Sequence, residues 1–384
     1  MKATLLLLAL TASVVGARWL EHQSTDQTII SLEEPQYLLE LIGGGTQWAT
    51  EAEKWELRRD GQMFMDITDF RDLGSYHIAS EKKDKYPKEL IFQSAVKPLL
   101  ESLNATNMMN HLEYLTSFHN RYYLSEHGEK SAKWLLNLIN NTITETGADK
   151  YGVSVKPFKH PWGQHSIIAT IPGKSDSLIV VGAHQDSVNH ADRVNGRAPG
   201  ADDDGSGTVT ILETFRALLG SQDLVGGKAE NTVEFHWYSA EEAGMLGSLA
   251  IFAEYEKSGK DVKAMFQQDM TGFTKLTLDA GRKPEFGIMT EYIDEELKEF
   301  TQMIIAEYTN ISWVNTGCTR CGSDHMAAIK AGYPAIFVIE SAFELSDDHI
   351  HGVDDLPKYL EYDHMIDHAQ MTLGVVYELA FAHL

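Results

Sequence analysis

In the stretch PGADDDGSG (199–207) three consecutive carboxylates, Asp202, Asp203 and Asp204, stand among glycines. Like charges so close repel. The pattern is therefore either a solvated acidic turn, Asp and Gly being turn formers, or a place where a cation supplies the missing charge. Four further stretches bear on the choice. VGAHQDS carries His184 and Asp186, YSAEEAG carries Glu241 and Glu242, QQDMTG carries Asp269, and SDDHIHG carries His349 and His351. Taken singly, each has a plain explanation: a hydrogen-bonded core histidine, a helix start whose dipole favours acids, a turn cap, a surface loop. Taken together they are a mixed set of imidazoles and carboxylates. Such a set suits zinc or another transition metal better than calcium, whose shells are all oxygen. It holds enough donors for two ions only if one carboxylate is shared, which would set the ions about 3.5–4 Å apart.

Something must bring these donors together, and the text between them supplies it. Short β-branched or apolar runs at 176–183, 231–240, 261–270 and 333–341 read as strands. Helical spacing is read at 205–221, 244–259 and 363–384, and at 294–310, where Leu297, Phe300, Ile304 and Tyr308 share one face. Segments 93–118 and 127–143 carry the same helical period ahead of them. Alternation of this kind predicts an α/β fold: a single globular domain with a mostly parallel central sheet flanked by helices on both faces. In such sheets ligands collect outside the carboxyl ends of the strands. His184, Glu241, Asp269 and His351 all follow predicted strands, so the sheet itself would gather them at one edge.

The whole chain sets further bounds. A net charge of −24 over 384 residues argues against nucleic acid, which needs basic surface, and against anionic membranes. The opening MKATLLLLALTASVVGA has Lys2, an apolar run Leu5–Leu10 and small residues to Ala17, the layout of a signal peptide over 1–17. The run is too short to span a bilayer, so a secreted, extracellular protein is expected. Sequons at Asn104, Asn140 and Asn310 agree with glycosylation outside the cell. Cys318 and Cys321, the only cysteines, form a CxxC pair. They cannot make a four-thiolate zinc site, and in an oxidising compartment a local disulfide is expected. Residues 18–86 are charged, lack α/β punctuation and end in SEKKDKYPKEL, with Lys82, Lys83 and Lys85 before Pro87. They read as a pro-segment, which leaves 87–384 as the catalytic domain.

In order and spacing, VGAHQDSVN, APGADDDGSGT, YSAEEAGMLGS, QQDMTGF, CGSDHMAAIKAGYPAIFVIES and HIHGVDDL resemble the two-zinc aminopeptidases of the secreted fungal and bacterial leucyl aminopeptidase type, from about residue 86 to the end. The signal and pro-segment resemble those of the fungal members. The resemblance implies a zinc-peptidase-like fold and hydrolysis of the N-terminal peptide bond of peptides with a free N-terminus. It also implies roles. His184 and Asp269 would hold one zinc, and His351 and Glu242 the other, with Asp203 bridging both. Glu241 would be the general base and acid, and Asp186 would accept the second N–H of His184. The Asp203–Asp204 peptide would be cis. A pocket walled by Met270, Met289, Cys318, Cys321, Phe337, Ile339, Phe343 and Ile350 would favour large apolar N-terminal residues such as Leu. A monomer is expected, with peptides as its partners. One departure stands out: bacterial relatives place three residues between the cysteines, including a Tyr that steadies the reacting carbonyl. Here only Thr319 and Arg320 intervene, which leaves Arg320 as the substitute. Rival readings on the same scaffold are a carboxypeptidase, a glutaminyl cyclase, or an inactive binding module. A carboxypeptidase needs basic residues for the substrate carboxylate, a cyclase uses one zinc, and inactive relatives lose ligands. This chain has all five ligands and Glu241.

Overall fold

The computed structural model describes residues 34–75 and 86–384, so the signal stretch and the Lys82–Lys85 region lie outside the described residues. The chain enters as a hairpin of β1 (Gln36–Leu41) and β2 (Thr46–Thr50), closed by Gly43, Gly44 and Gly45, all at positive φ. Helix α1 (Glu51–Arg59) follows. Thr50 caps it, and Thr50 and Glu53 satisfy each other's backbone amides in a capping box. β3 (Phe64–Asp66) then pairs with β1, giving a three-stranded antiparallel sheet of order β2-β1-β3. Regular structure in this charged stretch departs from the sequence expectation. The reason is that the inner face of α1 buries Lys54 and Arg58 beside Trp55, which breaks the apolar period that would have announced a helix.

Three helices come next: α2 (Gln93–Leu100), α3 (Ala105–Leu115) and α4 (Glu126–Thr146). Then strands and helices alternate: β4 (Ser154–Phe158), β5 (Ser166–Ile171), β6 (Leu178–His184), α5 (Gly207–Leu218), β7 (Thr232–Tyr238), α6 (Leu246–Ser258), β8 (Val262–Gln268), α7 (Lys275–Asp279), β9 (Glu285–Met289), α8 (Glu295–Tyr308), β10 (Ser312–Thr316), α9 (His325–Lys330), β11 (Ala335–Ile339) and α10 (Tyr362–Ala380). The eight strands order as β10-β9-β11-β8-β6-β7-β5-β4. The central four, β11, β8, β6 and β7, run parallel, and the antiparallel pairings lie toward the edges.

Every residue of β6 is buried, as expected of a strand covered on both sides. Its side chains divide with period two. Ile179, Val181 and Ala183 join the core made with Phe215 of α5, Phe300 of α8 and Met371 of α10. Leu178 and Val180 join the other core, with Phe252 of α6 and Met326 of α9. This two-sided packing fixes β6 at the centre and so fixes where His184 emerges. Among the described residues no helix is long and apolar enough to cross a membrane.

Candidate active site

Each parallel strand delivers a donor where it ends. β6 terminates in His184 with Asp186 just beyond, Glu241 and Glu242 follow β7, and Asp269 follows β8. His351 arrives on the loop after β11, and Asp203 on the irregular turn that leads into α5. The backbone at these ends is unusual. Five non-glycine residues in the described chain have positive φ, and three of them, Ala240, Met270 and His351, adjoin or are site residues. Such conformations cost of order 1–3 kcal/mol each and persist where surrounding contacts impose them. The Asp203–Asp204 peptide is cis.

Asp203 lies between two imidazoles. Its Oδ1 is 2.9 Å from His184 Nε2 and its Oδ2 is 2.9 Å from His351 Nε2. Asp269 Oδ2 stands 3.7 Å from His184 Nε2, and Glu242 Oε2 stands 3.5 Å from His351 Nε2. Donors around one tetrahedral zinc, with bonds near 2.0–2.2 Å, lie roughly 3.3 Å apart, so both clusters have the spacing of a ligand shell. Glu242 Oε2 is buried without a hydrogen-bond partner, as a ligand oxygen would be. Two groups of side chains are thus spaced to hold metal: His184 with Asp203 and Asp269, and Glu242 with His351 and His190. Burial works against charge on Asp203, yet the facing His184 and His351 hold its carboxyl well below the usual range. Burial likewise opposes charge on His184, but Asp269, Asp186 and Asp203 outweigh it and raise the imidazole well above its ordinary value.

A second layer holds these groups in place. Asp186 Oδ1 lies 3.4 Å from His184 Nδ1, and its stronger bonds are to backbone: it accepts the Glu241 N–H at 3.0 Å and the Glu242 N–H at 3.2 Å. One carboxylate thus joins three functional residues from two strands. Asp204 accepts from the backbone N–H groups of His184, Gly207 and Met270 at 3.0, 2.8 and 3.2 Å. Asp355 accepts from the amides of Asp202 and Asp203, and the Ser323 hydroxyl donates to Asp269 at 2.6 Å. Asp202 is fully buried and takes the Gly272 amide, so all three aspartates of the turn are interior. Sequence reading did not single out Ser323, Asp355 or His190. The first two lie inside the CGSD and HGVDD motifs. His190 follows six residues after His184, and its ring stacks on His351 at 4.3 Å. His349 lies apart, stacked on Tyr359 with its Nδ1 at Asp347.

The site opens into a cavity of about 390 Å³. Met270, Cys318, Cys321, Phe337, Ile339, Phe343 and Ile350 line it beside Asp203, Glu241, Asp269 and His351. Met289 is placed differently from the sequence expectation. It is buried one layer back, packed on Phe337 and Ile339, because β9 lies on the far side of β11. Cys318 and Cys321 are joined as a disulfide, with their Cα atoms 5.4 Å apart. In the chain as it stands Arg320 is exposed, and its Nε donates to Gln62 of the N-terminal layer at 3.0 Å. The three sequon asparagines are exposed, and Asn104 caps α3.

One wall of the cavity comes from the N-terminal layer: Arg58, Arg59, Gly61 and Met63. Arg58 is 4% exposed; its Nη2 donates to the Glu241 carbonyl at 2.9 Å and lies 3.7 Å from Glu241 Oε2. The Met63 amide donates to the Arg320 carbonyl, which stitches the layer to the disulfide loop. Burial raises the Glu241 carboxyl to about 8, although Arg58 and His184 pull it down. No local signal in the sequence announced these contacts, which cross 183 residues between Arg58 and Glu241.

Comparison with known proteins places the chain in a family and a fold. Residues 166–376 match the model of Peptidase family M28. The chain is similar to leucine aminopeptidase 1 of Sclerotinia sclerotiorum, 55% identical over 381 residues that cover 98% of each chain. It is 53% identical to leucine aminopeptidase 1 of Colletotrichum graminicola, over 98% of this chain and 94% of that one. In fold it is similar to the LapA aminopeptidase of Legionella pneumophila, with a TM-score of 0.75 and 23% identity over 91% of this chain and 99% of that one.

Proposed function

This chain belongs to peptidase family M28, and from that membership we propose that it is a secreted aminopeptidase that uses two zinc ions to remove large apolar N-terminal residues such as Leu. The observation that carries the reading is Asp203 set between His184 and His351, with Glu241 and an apolar cavity beside them. His184 and Asp269 would hold one ion, His351 and Glu242 the other, and Asp203 both. Bound there, zinc supplies a Lewis acid for the scissile carbonyl and lowers the pKa of water toward 7. The remaining chemistry belongs to the protein. Glu241 takes a proton from the attacking water and delivers it to the leaving amine. Its Oε1 is buried without a hydrogen-bond partner, so it has capacity for a proton in transit. Phe337, Ile339, Phe343 and Ile350 exclude water from the side-chain pocket and reward an apolar residue there.

Residues 18–86 act as a pro-segment in this reading. Arg58 and Met63 stand where a peptide would have to enter, and Arg58 donates to the residue that bears the general base. Processing near Lys82–Lys85 would release them. The test is zinc content and Leu-p-nitroanilide hydrolysis of full-length and processed protein, wild type and Glu241→Gln. Two zincs per chain are expected in both, with kcat of the variant lower by at least 100-fold. Unchanged activity in Glu241→Gln would remove the base. Cyclisation of N-terminal Gln without release of Leu would favour the cyclase reading.

A further inference from the structure

We propose that Arg121 is a positioning residue for the metal ligands: its guanidinium ties the loop after β6 to the turn before α5, and so sets His184 and Asp203 at ligand separation before any metal arrives. Arg121 lies in the connection between α3 and α4 and is fully buried. Its Nε donates to the Gln185 carbonyl at 2.8 Å, one residue past His184. Its Nη2 donates to the Gly200 carbonyl at 2.8 Å, and its Nη1 to the Pro199 carbonyl, just ahead of Asp202 and Asp203. The backbone repeats the link. The Arg121 amide donates to Ser187 Oγ at 3.0 Å, and that hydroxyl donates to the Ala198 carbonyl at 2.9 Å.

Two features make this a built arrangement rather than chance burial of a cation. All three guanidinium hydrogen bonds go to backbone carbonyls, so what they specify is the relative position of two loops, 64 to 79 residues away in sequence. Gly200 has φ +56°, and a Cβ there would stand 2.8 Å from Arg121 Nη2 and 2.5 Å from Ser187 Cβ. The turn has therefore given up a side chain to let the guanidinium in. The carboxylates of Asp355, Asp186, Asp204 and Asp203 act on Arg121 from nearby, so its charge also offsets theirs. Arginine suits both tasks: a planar fork reaches several carbonyls at once, whereas a lysine keeps the charge but reaches as a single point.

The inference rests on the metalloenzyme reading, and the experiment separates the two. Full-length wild type and Arg121→Lys are compared for zinc affinity by competition with a chromogenic chelator, for the visible spectrum of the cobalt-substituted protein, and for far-UV circular dichroism. Expected is a folded variant whose zinc dissociation constant is at least tenfold higher, with an altered cobalt spectrum and a fall in kcat larger than the change in KM. A merely structural arginine would lower the melting temperature and leave affinity and spectrum as in wild type, and that result would overturn the proposal. If Arg121→Lys does not fold, Gly200→Ala decides, because its Cβ would stand 2.8 Å from Arg121 Nη2 and push the guanidinium off that loop: weakened zinc binding supports the proposal and wild-type binding overturns it. No metal bound by wild type would sink the metalloenzyme reading and this one with it.

Discussion

Asp186 shows how much one side chain can organise. It is acceptor to the amides of Glu241 and Glu242 and faces His184, so it couples the end of β6 to the end of β7. Asp186→Asn keeps the volume but must turn an NH₂ toward one of these donors, leaving two N–H groups face to face. Groups that support metal ligands typically cost 10–100-fold in affinity or activity when changed. Asp186→Asn is therefore expected to lower kcat by about that factor, with KM nearly unchanged, measured on Leu-p-nitroanilide. A variant with wild-type kcat would show that the backbone holds the two glutamates unaided. At this scale the sequence was most legible, since the types, order and spacing of the candidate donors are written in the residues themselves. It was least legible where roles depend on neighbours. Asp204 and Ser323 lie inside recognisable motifs, yet what each accepts or donates follows only from the folded loops.

Among the elements, α1 and β3 have the clearest functional consequence. The link between them, through Gln62 and Met63, bonds to the disulfide loop, and Arg58 and Met63 close one wall of the cavity. Arg58→Ala in the unprocessed chain is expected to raise hydrolysis of Leu-p-nitroanilide several-fold over unprocessed wild type, while the two processed enzymes stay equal. Equal rates before processing would mean that the wall is sealed by the other residues of the layer. The four central strands and their helices were readable because continuous apolar runs mark strands buried on both faces. The edges were not. β10 exposes most of its residues, and β4 carries Pro157, which confines it to an edge position. Neither strand has a pattern distinct from a loop.

The whole molecule concentrates carboxylates in its interior, and this sets its response to pH. Burial raises Glu241 and Glu340 to about 8 and Asp324 and Asp355 to about 7. Each folded-state value lies above that of the unfolded chain, so the metal-free native state binds these protons more tightly. That stability is present below the ordinary carboxylate range and is lost as pH rises through about 7–8. His184, also raised, contributes in the same direction. Asp203, held low, has the opposite sign and acts only toward strong acid. The melting temperature of metal-free protein is thus expected to fall between about pH 5.5 and 8.5. Zinc should raise it more at the upper end, where its ligands need not be deprotonated first. A flat profile in calorimetry would mean that the acids share no such protons.

By itself the sequence supplied a mixed set of imidazoles and carboxylates, most of them behind strand signals, and an α/β order that gathers them at one edge; the role of each within that set came from resemblance to a family. Those features are local, being residue types at fixed distances from strand ends, and so survive in a linear text. Tertiary structure alone decided that Met289 stands behind the pocket, that Arg320 turns to Gln62, that Arg58 closes on Glu241, and that Arg121 joins the two ligand loops. Each of these is a contact between segments distant in sequence. Such contacts depend on how layers pack, and neither periodicity nor spacing encodes them.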